Sequence, residues 1–288
     1  MAQTNLTLIK ILEFPVTKII IGIIVVAGSV VLVEWGGRLL LNPTSLSDEV
    51  KNLIIAITES FLALFSYVLL FKFYEKRRIE ELNAASFGKN ASLGFLTGLI
   101  LQSLFIFVLY LSHDYSIIRV NPFSSLLPAF SFALTAGFVA ELLILGVAYR
   151  LIEEKLGTII TLIIFSILFA IFHLGAKGAT LVSIIASGVQ AGLLLSSSFV
   201  LTRKLWFPIF FHFAWDFVEP GIYGAINPAN SIEQSLFTSK INGPKILTGG
   251  LLGPQNSIQS IVICLAASLI FLWLAKKKNN FVKPYWKR

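Results

Sequence analysis

Runs of apolar positions, each about long enough to cross a lipid bilayer, recur eight times along the chain. Short clusters of charged, Gly and Pro positions separate them. A helix needs roughly 20 apolar residues to span the hydrocarbon core. The pattern predicts spans over about 18–34, 52–72, 92–111, 124–150, 157–175, 179–202, 206–224 and 257–275. Trp35 and a Gly36-Gly37 pair read as the end of the first span. That span lacks a small-residue cleavage site and more spans follow it, so it reads as an anchor rather than a signal peptide. The predicted fold is all-α: a polytopic membrane helix bundle of about eight transmembrane helices in one integral unit.

Composition agrees. The chain is 56% hydrophobic and only 13% charged, with a mean hydropathy of +0.83, too little charge for a soluble domain of 288 residues. The net charge of +8 does not point to nucleic acid, because the basic residues lie between spans rather than along one face. Eight crossings put both termini on one side. The loops and ends on that side hold most of the Lys and Arg, among them Lys72, Lys76, Arg77, Arg78, Arg203, Lys204 and Lys276 to Lys278. The positive-inside rule therefore predicts cytoplasmic termini. A single cysteine, Cys264, excludes disulfides and any Cys-built zinc site. No Walker, Rossmann, EF-hand or repeat pattern occurs. The loop over 225–256 carries INPANS, INGPK and LTGGLLGPQNS, which read either as ordered turns or a lid over the outer face, or as a plain connector.

Against this apolar background a few ionisable residues stand out. Glu141, His173, His212 and Asp216 lie on three helices at depths where charge is costly, and such groups are usually kept for a site. In WFPIFFHFAWDFVEPG, the residues His212, Asp216 and Glu219 fall at i, i+4, i+7 and share a helical stripe that must face a polar cavity or partner groups. Glu219, just before Pro220-Gly221, reads as interfacial. Glu59 reads as a buried acid that could partner Glu141. Two imidazoles with carboxylates can activate water or bind a divalent metal such as zinc, with His173 and His212 the candidate ligands. The metal version is the weaker one, since no H-E-x-x-H is present. Straight helices place His212 about 9 Å, Glu141 about 13 Å and His173 about 24 Å from one face, so tilt or an irregular stretch is needed to gather them.

These segments resemble the CAAX-protease and bacteriocin-processing family of intramembrane proteases. Its members carry E-E-x-x-x-R, then F-x-x-x-H, then H-x-x-x-N or H-x-x-x-D. Here Phe169 with His173 and His212 with Asp216 keep the second and third motifs. The resemblance is centred on a core at 125–225, preceded by a three-span region at 1–124 and followed by the outer loop, last helix and basic tail at 226–288. GGLLGPQNS looks like a common bacterial branch, which implies a bacterial plasma membrane. The resemblance implies an eight-helix bundle around a polar chamber, in which the leading Glu and the middle His activate water against a peptide carbonyl. The last His and its Asn or Asp partner would hold the oxyanion. Catalytic roles would thus fall on Glu141, His173, His212 and Asp216, with a membrane-associated peptide or protein as substrate.

The chain departs from the pattern at the first motif. Ala140 stands for the leading Glu and Leu145 for the Arg, leaving Glu141 alone. Neighbouring helix positions point about 100° apart, so Glu141 does not simply replace the missing group. Three readings follow: a working intramembrane CAAX-type endopeptidase with a substitute base; a non-catalytic family member that binds a membrane partner or confers immunity; and, ranked last, a small transporter, which lacks the paired broken helices such folds use. Some relatives act on prenylated C-termini and others are linked to bacteriocin maturation or self-immunity; no residue here chooses between them.

Overall fold

The computed structural model describes residues 12–225 and 234–288; the INPANS stretch at 226–231 and Lys10 lie outside the described residues. Seven helices among the described residues are long and apolar enough to cross a membrane. They are α1 (Pro15–Leu41), α2 (Asp48–Tyr74), α3 (Ala84–Leu111), α4 (Phe123–Leu156), α5 (Thr158–Gly175), α6 (Leu181–Thr202) and, last in the chain, α8 (Ile258–Lys277). The chain is an integral membrane protein with an all-α bundle. The first span does not stop at Gly36-Gly37 but runs on to Leu41. Glycine inside a helix costs about 1 kcal/mol, which a 27-residue apolar helix absorbs.

One further helix, α7, differs from these. It comprises twelve residues of α-helix, Trp206–Phe217, followed by a five-residue π turn, Val218–Ile222. Being short, it is wrapped by longer neighbours: α3, α4 and α6 pack against it, and Phe207, Ile209, Phe211 and Ala214 are buried. Small residues permit that close approach. A Cβ on Gly98 of α3 would lie 2.7 Å from the Phe211 carbonyl, and one on Gly137 of α4 would lie 2.8 Å from that of Ile209. Gly94 and Gly98 form a Gly-x-x-x-Gly face, the arrangement that lets membrane helices meet backbone to backbone.

Three helices depart from α geometry where they pass the centre. In α4, π segments Ala136–Ala140 and Leu142–Tyr149 flank Glu141; α6 has one at Gly188–Leu194, and α7 ends in one. Such wide turns rotate the side chains that follow and collect at functional sites. The carbonyl of Trp215, beside the π turn of α7, accepts from Gln102 Nε2 on α3 at 3.2 Å.

The loop after α7 is built rather than loose in its described parts. Strand β1 (Tyr115–Val120) pairs antiparallel with β2 (Phe237–Ile241), a small sheet that hydropathy did not predict. Tyr115 Oη donates to the Tyr223 carbonyl at 2.8 Å, tying the sheet to the end of α7. Burial and that neighbour push the Tyr115 hydroxyl pKa up to about 12. Beyond β2, tight turns at Gly250–Leu252 and Pro254–Asn256 lead into α8. At the other end of α2, Glu81 is buried and accepts Arg77 Nη2 at 2.6 Å and Tyr67 Oη at 2.6 Å. Burial by itself would raise this carboxyl, but the Arg77 hydrogen bonds and charge outweigh it and hold Glu81 below the usual carboxylate range.

Candidate active site

His212 and Asp216 stand one turn apart on α7, and Nε2 of His212 lies 3.3 Å from Oδ2 of Asp216. The other ring nitrogen, Nδ1, lies 2.7 Å from Oε1 of Glu141 on α4. The imidazole is therefore clamped between two carboxyl groups. The Glu141 contact is a hydrogen bond and needs one proton, carried by nitrogen or by oxygen, whereas the approach to Asp216 is at ion-pair distance without hydrogen-bond alignment. Glu141 is only 1% exposed, and its Oε2 has no hydrogen-bond partner among the described residues. It sits behind His212 rather than on the cavity wall.

That wall belongs to a cavity of about 270 Å³ between α5, α6, α7 and the loop before α8. His173, His212 and Asp216 all line it, beside apolar Phe132, Phe169 and Leu194. The straight-helix depths would hold these residues apart, yet His173, His212 and Asp216 line the same cavity.

His173 closes α5. Its backbone N–H turns to Ile171, which leaves the Phe169 carbonyl without its usual partner. The ring supplies that partner: Nδ1 lies 2.9 Å from Phe169 O. A carbonyl only accepts, so Nδ1 carries the hydrogen and, in the neutral ring, Nε2 keeps the lone pair. The F-x-x-x-H spacing thus fixes a tautomer suited to accept a proton.

Two expectations change. Glu219 is not interfacial: it is fully buried in the π turn, where Oε2 accepts the Gln255 backbone N–H at 3.0 Å. Through that contact it is tied to the loop before α8. Glu59 does not meet Glu141. It accepts from Thr135 Oγ1 at 2.9 Å and lines a separate pocket with Glu34 and Arg38. At the first motif, Leu145 is fully buried in the core and Ala140 is half-buried.

Sequence reasoning missed Gln255. It lines the cavity and is held at three points. Its Oε1 accepts from Trp215 Nε1 at 2.5 Å, its N–H reaches Glu219, and its carbonyl accepts from Ser260 Oγ at 2.5 Å and from Gln190 Nε2. The Gly-rich GGLLGPQNS stretch was the available signal. Gly253 has φ +81°, and a Cβ there would meet Glu219 Oε1 at 2.7 Å, so the turn that presents Gln255 requires glycine.

The donor set does not fit a bound metal. Both nitrogens of His212 are engaged by carboxyls and His173 offers one nitrogen, while no group of three or more His, Cys, Asp or Glu among the described residues is arranged to hold an ion.

Residues 122–218 match the family model described as Type II CAAX prenyl endopeptidase Rce1-like. The matched segment contains Glu141, His173, His212 and Asp216 and stops short of Glu219 and Gln255. No curated protein and no solved structure matches the chain.

Proposed function

We propose, from the match of residues 122–218 to the family model described as Type II CAAX prenyl endopeptidase Rce1-like, that this chain hydrolyses a peptide bond inside the membrane with His173 as general base. The observation that carries this reading is the fixed tautomer of His173, which leaves Nε2 basic at a cavity that His212 and Asp216 also line. Nε2 takes a proton from water as the oxygen adds to the peptide carbonyl carbon. The protonated ring then returns that proton to the amide nitrogen as the C–N bond breaks, giving a carboxylic acid and an amine, and the acid's proton passes to the amine to leave a carboxylate and an ammonium group. Glu141 acts at one remove by holding His212 in place.

A peptide entering this cavity meets mostly apolar walls, which favours a membrane-associated chain with apolar side chains at the cleaved bond. Orientation with both termini in the cytoplasm follows from the distribution of Lys and Arg. The second reading, a non-catalytic membrane binding or immunity protein, is favoured by Ala140 and Leu145 at the family's Glu and Arg positions.

The test compares the chain with its Ala140→Glu and His173→Ala variants, purified in detergent, on one panel of quenched and prenylated peptides. The proposal expects cleavage by the native chain and loss in His173→Ala. Cleavage by Ala140→Glu alone would sink it in favour of the binding reading.

A further inference from the structure

Hydrolysis through a tetrahedral intermediate needs hydrogen-bond donors aimed at the carbonyl oxygen as it becomes negative. The cavity's obvious polar groups supply few. Asp216 is an acceptor when ionised, and both His212 nitrogens face carboxyl oxygens. Gln190 Nε2 is spent on Ser260 Oγ and the Gln255 carbonyl. Gln255 is different. Its backbone N–H and carbonyl are tied to Glu219, Ser260 and Gln190, and its side-chain oxygen to Trp215. An indole N–H only donates, so the amide oxygen must face Trp215 and the NH₂ must be the other end. That Nε2 carries two hydrogens and has no partner among the described residues.

We infer that Gln255, delivered by the loop before α8, donates from Nε2 to the carbonyl oxygen of the bound peptide and stabilises the oxyanion. This rests on the peptidase reading. The group is preorganised: Trp215 sets the amide's direction, and Glu219, Gln190 and Ser260 hold its backbone, so little reorganisation accompanies the reaction. The backbone contacts do not depend on the side chain. Replacing Gln255 by Glu keeps both the backbone latches and the oxygen that Trp215 needs, which separates a chemical role from a structural one.

The experiment measures kcat and KM for a cleaved peptide with the full chain in detergent and with Gln255→Glu, Gln255→Met and Trp215→Phe. Gln255→Glu keeps the oxygen that Trp215 needs but turns the donor into an acceptor. Losing one such donor lowers kcat by about 10²–10³-fold. The inference expects a kcat loss of that order in Gln255→Glu and Gln255→Met with KM within about threefold. It expects a smaller loss in Trp215→Phe, which frees the amide to rotate. Thermal unfolding of Gln255→Glu, which keeps the acceptor for Trp215, should match the native chain, whereas Gln255→Met strands the Trp215 N–H and should unfold earlier. If the native chain cleaves and Gln255→Glu and Gln255→Met keep kcat within about threefold, the inference is overturned while the peptidase reading stands. If the native chain cleaves nothing that His173→Ala spares, both are overturned together.

Discussion

Nδ1 of His212 lies 2.7 Å from Oε1 of Glu141, a contact between two helices whose residues are 71 positions apart in the chain. Glu141 is behind the imidazole and out of the cavity, and under the proposed function its task is to orient that ring rather than to attack substrate. Removing the carboxyl in Glu141→Leu strands a buried polar nitrogen, which costs about 1–3 kcal/mol. Glu141→Gln keeps an acceptor oxygen and should cost less. Thermal unfolding in detergent should rank native, then Gln, then Leu.

The grip of α3 and α4 on α7 depends on absent side chains. A Cβ on Gly98 would meet the Phe211 carbonyl at 2.7 Å, and backbone cannot yield as a flexible side chain does. Gly98→Val should destabilise by about 1–3 kcal/mol, as overpacked interiors do. Because α7 carries His212 and Asp216, the variant should also lose activity out of proportion to the folded protein recovered by size-exclusion chromatography.

Gly253 should be as intolerant for a different reason. Its φ is +81°, and a methyl group there would press on Oε1 of Glu219, the carboxyl whose other oxygen, Oε2, latches Gln255. Gly253→Ala pays for both strain and lost latch, more than about 1 kcal/mol. Limited proteolysis should cut the segment before α8 faster in Gly253→Ala than in the native chain.

Acid should act through Glu81, outside the spans. Arg77 holds its carboxyl below the usual range despite burial. A depressed folded pKa means its stabilisation is fully present above the unfolded value, about 4.3, and is lost as pH falls through the lower folded value. The native midpoint should therefore drop on acidification below about pH 4. Glu81→Gln, less stable at neutral pH, should show a shallower drop in that window. Parallel pH profiles would contradict the assignment.

The spans were legible because hydropathy is a property of windows: each apolar run became a helix, although the first helix runs on to Leu41, the third begins already at Ala84 and the fourth continues to Leu156. Phe169 with His173 and His212 with Asp216 were legible as i, i+4 pairs, and both pairs line the cavity or meet within it. What the sequence hid was irregular backbone. Nothing in AGFVAELLILGVAY announces π segments, yet those turns surround Glu141. Glu219 looked interfacial by position, and only the π turn of α7 carries it into the bundle. Gln255 gave no signal of its own, because its role depends on Trp215, Glu219 and Gln190 meeting it from elsewhere in the fold.

The central claim is hydrolysis by water activated at His173 without the family's leading Glu. It is tested most directly by digesting a cleavable membrane-associated peptide in ¹⁸O-labelled water with the native chain and with His173→Ala, and weighing the products. The account predicts that the native chain places one ¹⁸O atom in the new carboxyl group and that His173→Ala yields no product above background. No cleavage by the native chain, or equal labelling by His173→Ala, would contradict it.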